Sequence, residues 1–217
     1  MFPLYDENRR RTVPIVTWAL IAINVLVFWW EFTNSFDPWI FFTFGEIPFF
    51  IFQGERLYTL ITSMFLHADF LHILGNMIYL FIFGDNIEDR LGHIKYLFFY
   101  LIFGIVGGLT HSAMSVMSGG LEALIPTIGA SGAVSGILGA YIVLFPRARI
   151  VSIVPSIYLV QIARVPAAIF IGFWFIVQLL YAGSITSIAY MAHIGGFLAG
   201  FIVATAFKLG GTNRNNL

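Results

Sequence analysis

Apolar residues in this chain come in runs of about twenty with few polar breaks, too long for strands and too unbroken for the half-buried helices of a soluble domain. Six runs stand out, near 13–32, 70–84, 95–117, 128–145, 166–182 and 187–208. Each is read as a helix crossing about 30 Å of hydrocarbon. The expected fold is all-α: a polytopic membrane protein, a six-transmembrane-helix bundle, with residues 1–217 forming a single membrane domain. The second and fourth runs are short. Short spans are tolerated where neighbouring helices or a water-filled cavity cover their ends, so the pattern already points to where water enters. The segment 33–59 is crowded with aromatic residues, among them Phe36, Trp39, Phe44 and Phe50. Rings of that kind favour the headgroup region, so it reads as an interfacial loop. A further apolar run at 150–163 has only fourteen residues, contains Pro155 and is fenced by Arg149 and Arg164. It is too short for a seventh span and reads as an interfacial or folded-back part of a cytoplasmic loop at 146–165.

Composition sharpens this picture. With 59% hydrophobic and 10% charged residues, the chain is not a soluble globular domain. Arg9, Arg10 and Arg11 ahead of the first apolar run resemble the start of a signal peptide. No small-x-small cleavage site follows Trp29, Trp30 and Glu31, however, so the run is kept as the first span. Ten of the eleven Lys and Arg fall before the first span or in segments on the same side of the membrane, and only Arg56 falls on the other. Both termini are therefore expected in the cytoplasm. The chain has no cysteine, which excludes disulfides, thiolate zinc sites and a cysteine nucleophile. The net charge of zero points to no particular partner, and no nucleic acid is expected.

With this orientation, spans two, four and six all run inward from the outer surface. His72 and Asn76, in "HILGN", lie four residues apart on one face near the start of span two. His193 lies roughly 9 Å down span six, at 1.5 Å per residue. Ser131, in "GASG", reaches the same depth if 127–130 enters as extended chain, which is permitted where backbone lines a cavity. A serine among glycines usually serves packing, and Gly132 with Gly136 and Gly196 with Gly200 are small-xxx-small pairs. An ionisable histidine inside a span is costly and points to function. A serine hydroxyl becomes a useful nucleophile when a base takes its proton, and imidazole is suited to that. No carboxylate lies in spans four to six, so the pair would be a Ser-His dyad of Ser131 and His193 and not a triad. His72, Asn76 and the Ser131 backbone N–H could supply the donors that an oxyanion needs. "GASGA" lacks the last glycine of G-x-S-x-G, so it is not a hydrolase nucleophile elbow. His67 and His72 are five apart and Ala68 follows His67, which is not the zincin pattern. His111 could join a histidine cluster, but the usual co-ligands are missing, and no metal or cofactor is expected.

"GASG" opening the fourth span, "AHIGGFLAG" in the sixth and "HADFLHILGN" at the head of the second resemble, in that order, the signature of the rhomboid intramembrane serine proteases. The resemblance runs from span one to span six. It implies a six-helix bundle with a cavity open to the non-cytoplasmic side, Ser131 as nucleophile and His193 as general base. It also implies that His72, Asn76 and the Ser131 amide stabilise the oxyanion. Gly129 and Gly132 complete the family's G-x-S-G, Gly196 follows His193 at a close-packing position with Gly200 one turn on, and Glu88 and Arg90 fall in a structural turn. The implied substrates are transmembrane segments of other proteins in the lipid bilayer, cut near their outer ends, and the minimal six-span form favours a prokaryotic plasma membrane.

Two positions depart from the family pattern. Tyr58 and Thr59 stand where a Trp-Arg pair is common, and Ser135 stands where some relatives carry an aromatic residue that packs on the catalytic histidine. The resemblance therefore names no side chain that holds His193. Phe173, Trp174 and Phe175 in span five fit either a side entrance for a substrate helix or a lipid-facing aromatic belt. Two other functions remain in view. A catalytically silent relative that only binds helices is disfavoured by the presence of both dyad residues. A channel or transporter is disfavoured by the lack of paired intramembrane charges and inverted repeats.

Overall fold

The computed structural model describes residues 1–155, 160–184 and 188–214. Four helices are long and apolar enough to cross a membrane: α1 (Ile15–Thr33), α5 (Phe70–Leu91), α6 (His93–Ser118) and the Tyr190–Leu209 part of α9 (Tyr190–Arg214). Two apolar helices are shorter, α7 (Ser131–Leu144) and α8 (Ala167–Leu180). At 14 residues α7 is only about 21 Å long. It can be short because it is the central post: every residue from Gly132 to Tyr141 is buried, and α5, α6, α8 and α9 all pack on it. An apolar helix without a polar face belongs in such a place.

Glycines set how closely the neighbours approach. A Cβ on Gly196 would strike the Gly132 carbonyl oxygen, one on Gly200 would strike that of Gly136, and one on Gly139 would strike that of Phe197. The α7 and α9 backbones are therefore in direct contact, as small-xxx-small pairs allow. On the opposite side of α7, Gly136 makes room for the Phe103 ring of α6.

Two expectations are corrected here. The chain is mostly helical and not all-α. Strands β1 (Phe2–Asp6), β2 (Arg149–Pro155) and β3 (Val160–Pro166) form an antiparallel sheet in the order β1-β2-β3, with Phe2 opposite Ile153 and Val151 opposite Arg164. The β-branched residues Ile150, Val151, Ile153 and Val154 suit a pleated, half-buried surface, and Ile150 and Val151 are buried.

The second apolar helix also does not stop near 84 but continues to Leu91. Its last turns are polar, yet each acidic or amide side chain there meets a partner from the N-terminal segment, while the Arg90 guanidinium lies over the Phe207 ring. Glu88, fully buried, accepts from the backbone N–H groups of Val16 and Thr17 at 2.8 and 2.7 Å and from the Thr17 hydroxyl. It thereby caps the start of α1 with negative charge, where the helix dipole favours it. His93 Nδ1 approaches the same carboxyl at 2.5 Å. Asp89 accepts from the backbone N–H groups of Arg11 and Thr12, and Asp85 pairs with Arg10 at 2.8 Å. Asp6 on β1 accepts from Asn86 at 2.7 Å and from the Tyr141 hydroxyl of α7 at 2.5 Å, and burial pushes its carboxyl up to about 6.

Between α1 and α5 the chain makes three short helices, α2 (Pro38–Phe44), α3 (Pro48–Phe52) and α4 (Thr59–Thr62), then a 3-10 turn at Ser63–Phe65. Trp39, Phe42 and Phe52 point outward, while Ile40, Ile47 and Ile51 are buried.

Candidate active site

The start of α5 places the first two candidate donors. Asp69 caps the helix by accepting from the His72 backbone N–H at 2.8 Å, and Asn76 follows one turn later. His72 is half-buried and Asn76 is buried. His67 packs edge-on against His72 with ring centres 5.0 Å apart. Its own backbone N–H is held by the Glu31 carboxylate, and burial pushes its imidazole down to about 3, so it stays neutral.

Residues 127–130 bring the chain to the head of α7. Thr127 forms an isolated antiparallel bridge with Glu46, N–H to O at 2.7 and 3.0 Å in the two directions, and the Gly129 N–H donates to the Ser63 carbonyl. Gly129 has φ +119°, a conformation L side chains rarely adopt, and an added Cβ would lie 2.6 Å from His72 Nε2 and 3.8 Å from Asn76 Nδ2. The glycine therefore lets His72 and Asn76 close against the backbone just before Ser131. Ser131 opens α7, so its peptide N–H is among those left free at a helix start. Ser135, one turn on, turns its hydroxyl inward to the Ser131 carbonyl at 2.6 Å.

The base approaches from α9. That helix begins at Tyr190, so His193 sits in its first turn, shallower along the helix than a start at 187 implies. Gly132 and Gly196 are the contact point, one residue after Ser131 and three after His193. Ser131, Gly129, Gly132, Ala189, Ala192 and Glu46 line one small cavity. His72 and His111 lie within electrostatic reach of His193. Among the described residues Ser131 and His193 are not hydrogen-bonded to each other, a looseness common in sites without substrate. No three metal-ligating side chains come together among the described residues.

What holds His193 is a residue that reading the sequence does not single out. Gln178 of α8, buried, has its Oε1 2.7 Å from His193 Nδ1, and its Nε2 donates to the Trp174 carbonyl at 3.1 Å. The signal was present as a lone amide in an apolar helix, but not the partner it meets. The Trp174 ring lies 5.9 Å from the imidazole and the Tyr190 ring lies edge-on at 6.2 Å.

A comparison with protein families matches the Rhomboid domain over residues 54–209, more than two thirds of the chain. The chain belongs to the rhomboid family. It is 33% identical over 150 residues to RHOMBOID-like protein 6, mitochondrial, of Arabidopsis thaliana, a match covering 69% of this chain and 43% of that protein. To Rhomboid protein 1, mitochondrial, of Saccharomyces cerevisiae it is 30% identical, covering 86% of this chain and 51% of the relative. To Rhomboid protease GluP of Bacillus subtilis it is 30% identical, covering 95% and 39%. The chain thus spans about half or less of the length of these relatives. As a rhomboid it is an integral, multi-pass membrane protein. In this rhomboid Trp174 and Tyr190 flank the histidine from α8 and α9, where Ser135 leaves no ring on α7.

Glu46 gives the site a pH-dependent anchor. It is only 3% exposed, accepts from the Ser112 hydroxyl at 2.6 Å and fills the space that Gly108 leaves on α6. Burial pushes its carboxyl up to about 7, and the Ser112 hydrogen bond opposes this only in part. A folded-state value above the ordinary 4.5 means that its contribution to stability is fully present below about 4.5 and is lost as pH rises through about 7. The melting temperature of the wild type, measured against that of Glu46→Gln in the same detergent, should therefore fall between pH 5 and pH 8. A difference between the two that does not change with pH would contradict this.

Proposed function

We propose that this rhomboid is an intramembrane serine endopeptidase that hydrolyses peptide bonds in or near transmembrane segments of other membrane proteins. Ser131 and His193 form its dyad. One observation carries the reading: Gly129 holds His72 and Asn76 against the backbone entering Ser131, while the Gly132 contact with Gly196 sets the start of α9 beside it. The Bacillus subtilis relative, named as a protease and matched over 95% of this chain, supports it.

In the reaction the His193 imidazole takes the Ser131 hydroxyl proton as Oγ attacks the substrate carbonyl carbon. The carbonyl oxygen becomes an oxyanion and accepts hydrogen bonds from His72, Asn76 and the Ser131 N–H. As the tetrahedral species collapses, the C–N bond breaks and the imidazolium gives its proton to the leaving amine. Water, deprotonated by the same imidazole, then attacks the acyl ester and releases Ser131 and the carboxylate product.

All six apolar helices cross the membrane in this reading, with α7 short because the helices around it bury it. Both termini lie in the cytoplasm and the cavity opens to the other side, as the one-sided placement of Lys and Arg supports. The proposed location is a prokaryotic plasma membrane, in keeping with the bacterial relative that matches the most of this chain among the three. A second reading, a silent helix-binding rhomboid, draws on the absence of a hydrogen bond between Ser131 and His193 among the described residues.

A fluorophosphonate separates the two readings without any knowledge of the substrate. Wild type in detergent should carry the adduct on Ser131 by mass spectrometry, and His193→Ala should not. If wild type stays unlabelled where a control intramembrane serine protease is labelled, the silent reading holds.

A further inference from the structure

We propose that Gln178 is the positioning residue of the dyad, a neutral third member that fixes which nitrogen of His193 carries the proton. The proposal rests on the dyad assignment above and adds to it the tautomer and the group that sets it.

The Trp174 carbonyl is solely an acceptor, so the end of the Gln178 amide facing it at 3.1 Å must be the NH2 group. The oxygen of the amide then has to face His193 Nδ1 at 2.7 Å. An amide oxygen is also solely an acceptor, so Nδ1 must hold the hydrogen. Nε2 is left with its lone pair, the form a general base requires. The orientation of the amide is dictated by a backbone carbonyl one turn earlier on α8, and that helix cannot offer anything else at this point. Trp174 takes part twice, its carbonyl orienting Gln178 and its ring lying against the imidazole.

An amide suits this place better than a carboxylate. A charged group within an apolar helix is costly, whereas a neutral amide with both ends hydrogen-bonded is not. Gln178 is buried, and both of its polar ends are satisfied inside the protein. In the reaction the proton of Ser131 goes to Nε2, and the Nδ1 hydrogen stays on the ring, shared with Gln178 throughout.

Two measurements test this. In protein carrying 15N-histidine, the two-bond 1H–15N spectrum of His193 should show protonated Nδ1 and bare Nε2 in the wild type and a mixture of tautomers in Gln178→Leu. The second-order rate of fluorophosphonate labelling at Ser131 should fall about 10- to 100-fold in Gln178→Leu, by analogy with the loss of a hydrogen-bond partner that orients a metal-ligating histidine. Gln178→Glu, whose neutral form can donate to the Trp174 carbonyl and accept from Nδ1, should recover most of that loss. A purely structural Gln178 would be replaced as well by Leu as by Glu. Labelling of Gln178→Leu at the wild-type rate, or a wild-type spectrum with the proton on Nε2, overturns the proposal. If the wild type does not label at all, the dyad assignment fails, and the tautomer spectrum still decides the role of Gln178 by itself.

Discussion

If Ser131 is the nucleophile, Ser131→Ala should abolish cleavage of a reconstituted single-span substrate, with turnover falling by roughly 10⁶-fold as when soluble serine proteases lose their nucleophile. The size of the loss follows from the chemistry of the site: the nearest hydroxyl along α7, that of Ser135, is tied to the Ser131 carbonyl and is not placed to take over the attack. His193→Ala should be similar in size, since a nucleophile and its base act as one unit. Asn76→Ala should be milder, about 10²- to 10³-fold, because His72 and the Ser131 N–H remain to hold the oxyanion. The order of the three is as informative as the sizes. Product gels on proteoliposomes measure it, and an Asn76 variant as dead as Ser131→Ala, or turnover in Ser131→Ala near that of wild type, would refute the assignment.

Gly200→Val should unfold the protein far more readily than any substitution on the lipid-facing side. The first carbon of a side chain at 200 would fall on the Gly136 carbonyl oxygen, and backbone cannot step aside as a flexible side chain can. Relief requires α7 and α9 to separate along the line that also carries Gly132 with Gly196, so the damage reaches the site. A cost of at least about 3 kcal/mol is expected, at the upper end for overpacking in a close-packed interior. Gly172→Val on α8 is the matched control, because nothing lies within 4 Å of an added Cβ there. Thermal denaturation in detergent should show a large drop for the first and little change for the second. Equal melting temperatures would mean that the contact between α7 and α9 is not what sets stability.

The long helices could be read from hydropathy alone because nothing else accounts for twenty apolar residues in a row. The residues grouped at the site could be read as well, since His72 and Asn76 share a helix face and the glycines around Ser131 mark a close approach. What could not be read depended on partners distant in sequence. The end of α5 looked like a loop because Asp85, Asn86, Glu88 and Asp89 are polar, and only the N-terminal segment that pairs with them makes helix the better choice. The strand at 149–155 finds its other neighbour at residues 2–6, a pairing that no local pattern announces. Gln178 was visible as a lone polar residue, but the group it meets lies on α9.

The sheet has a consequence for how the molecule is assembled. β1 is made before α1, α5, α6 and α7 but cannot pair until β2 has been synthesised after them. The hydrogen bonds from Asn86 and Tyr141 to Asp6 draw the same early segment onto two of those helices. That face of the bundle is therefore latched late, by a strand synthesised before the helices it closes over, and the loop closed by the latch runs through the whole route from α1 to α7. Closing so long a loop is slow compared with forming any of the helices inside it. The latch thus registers where the helices between its two halves end up: an α5 or α7 out of place forfeits the hydrogen bonds that Asn86 and Tyr141 make to Asp6.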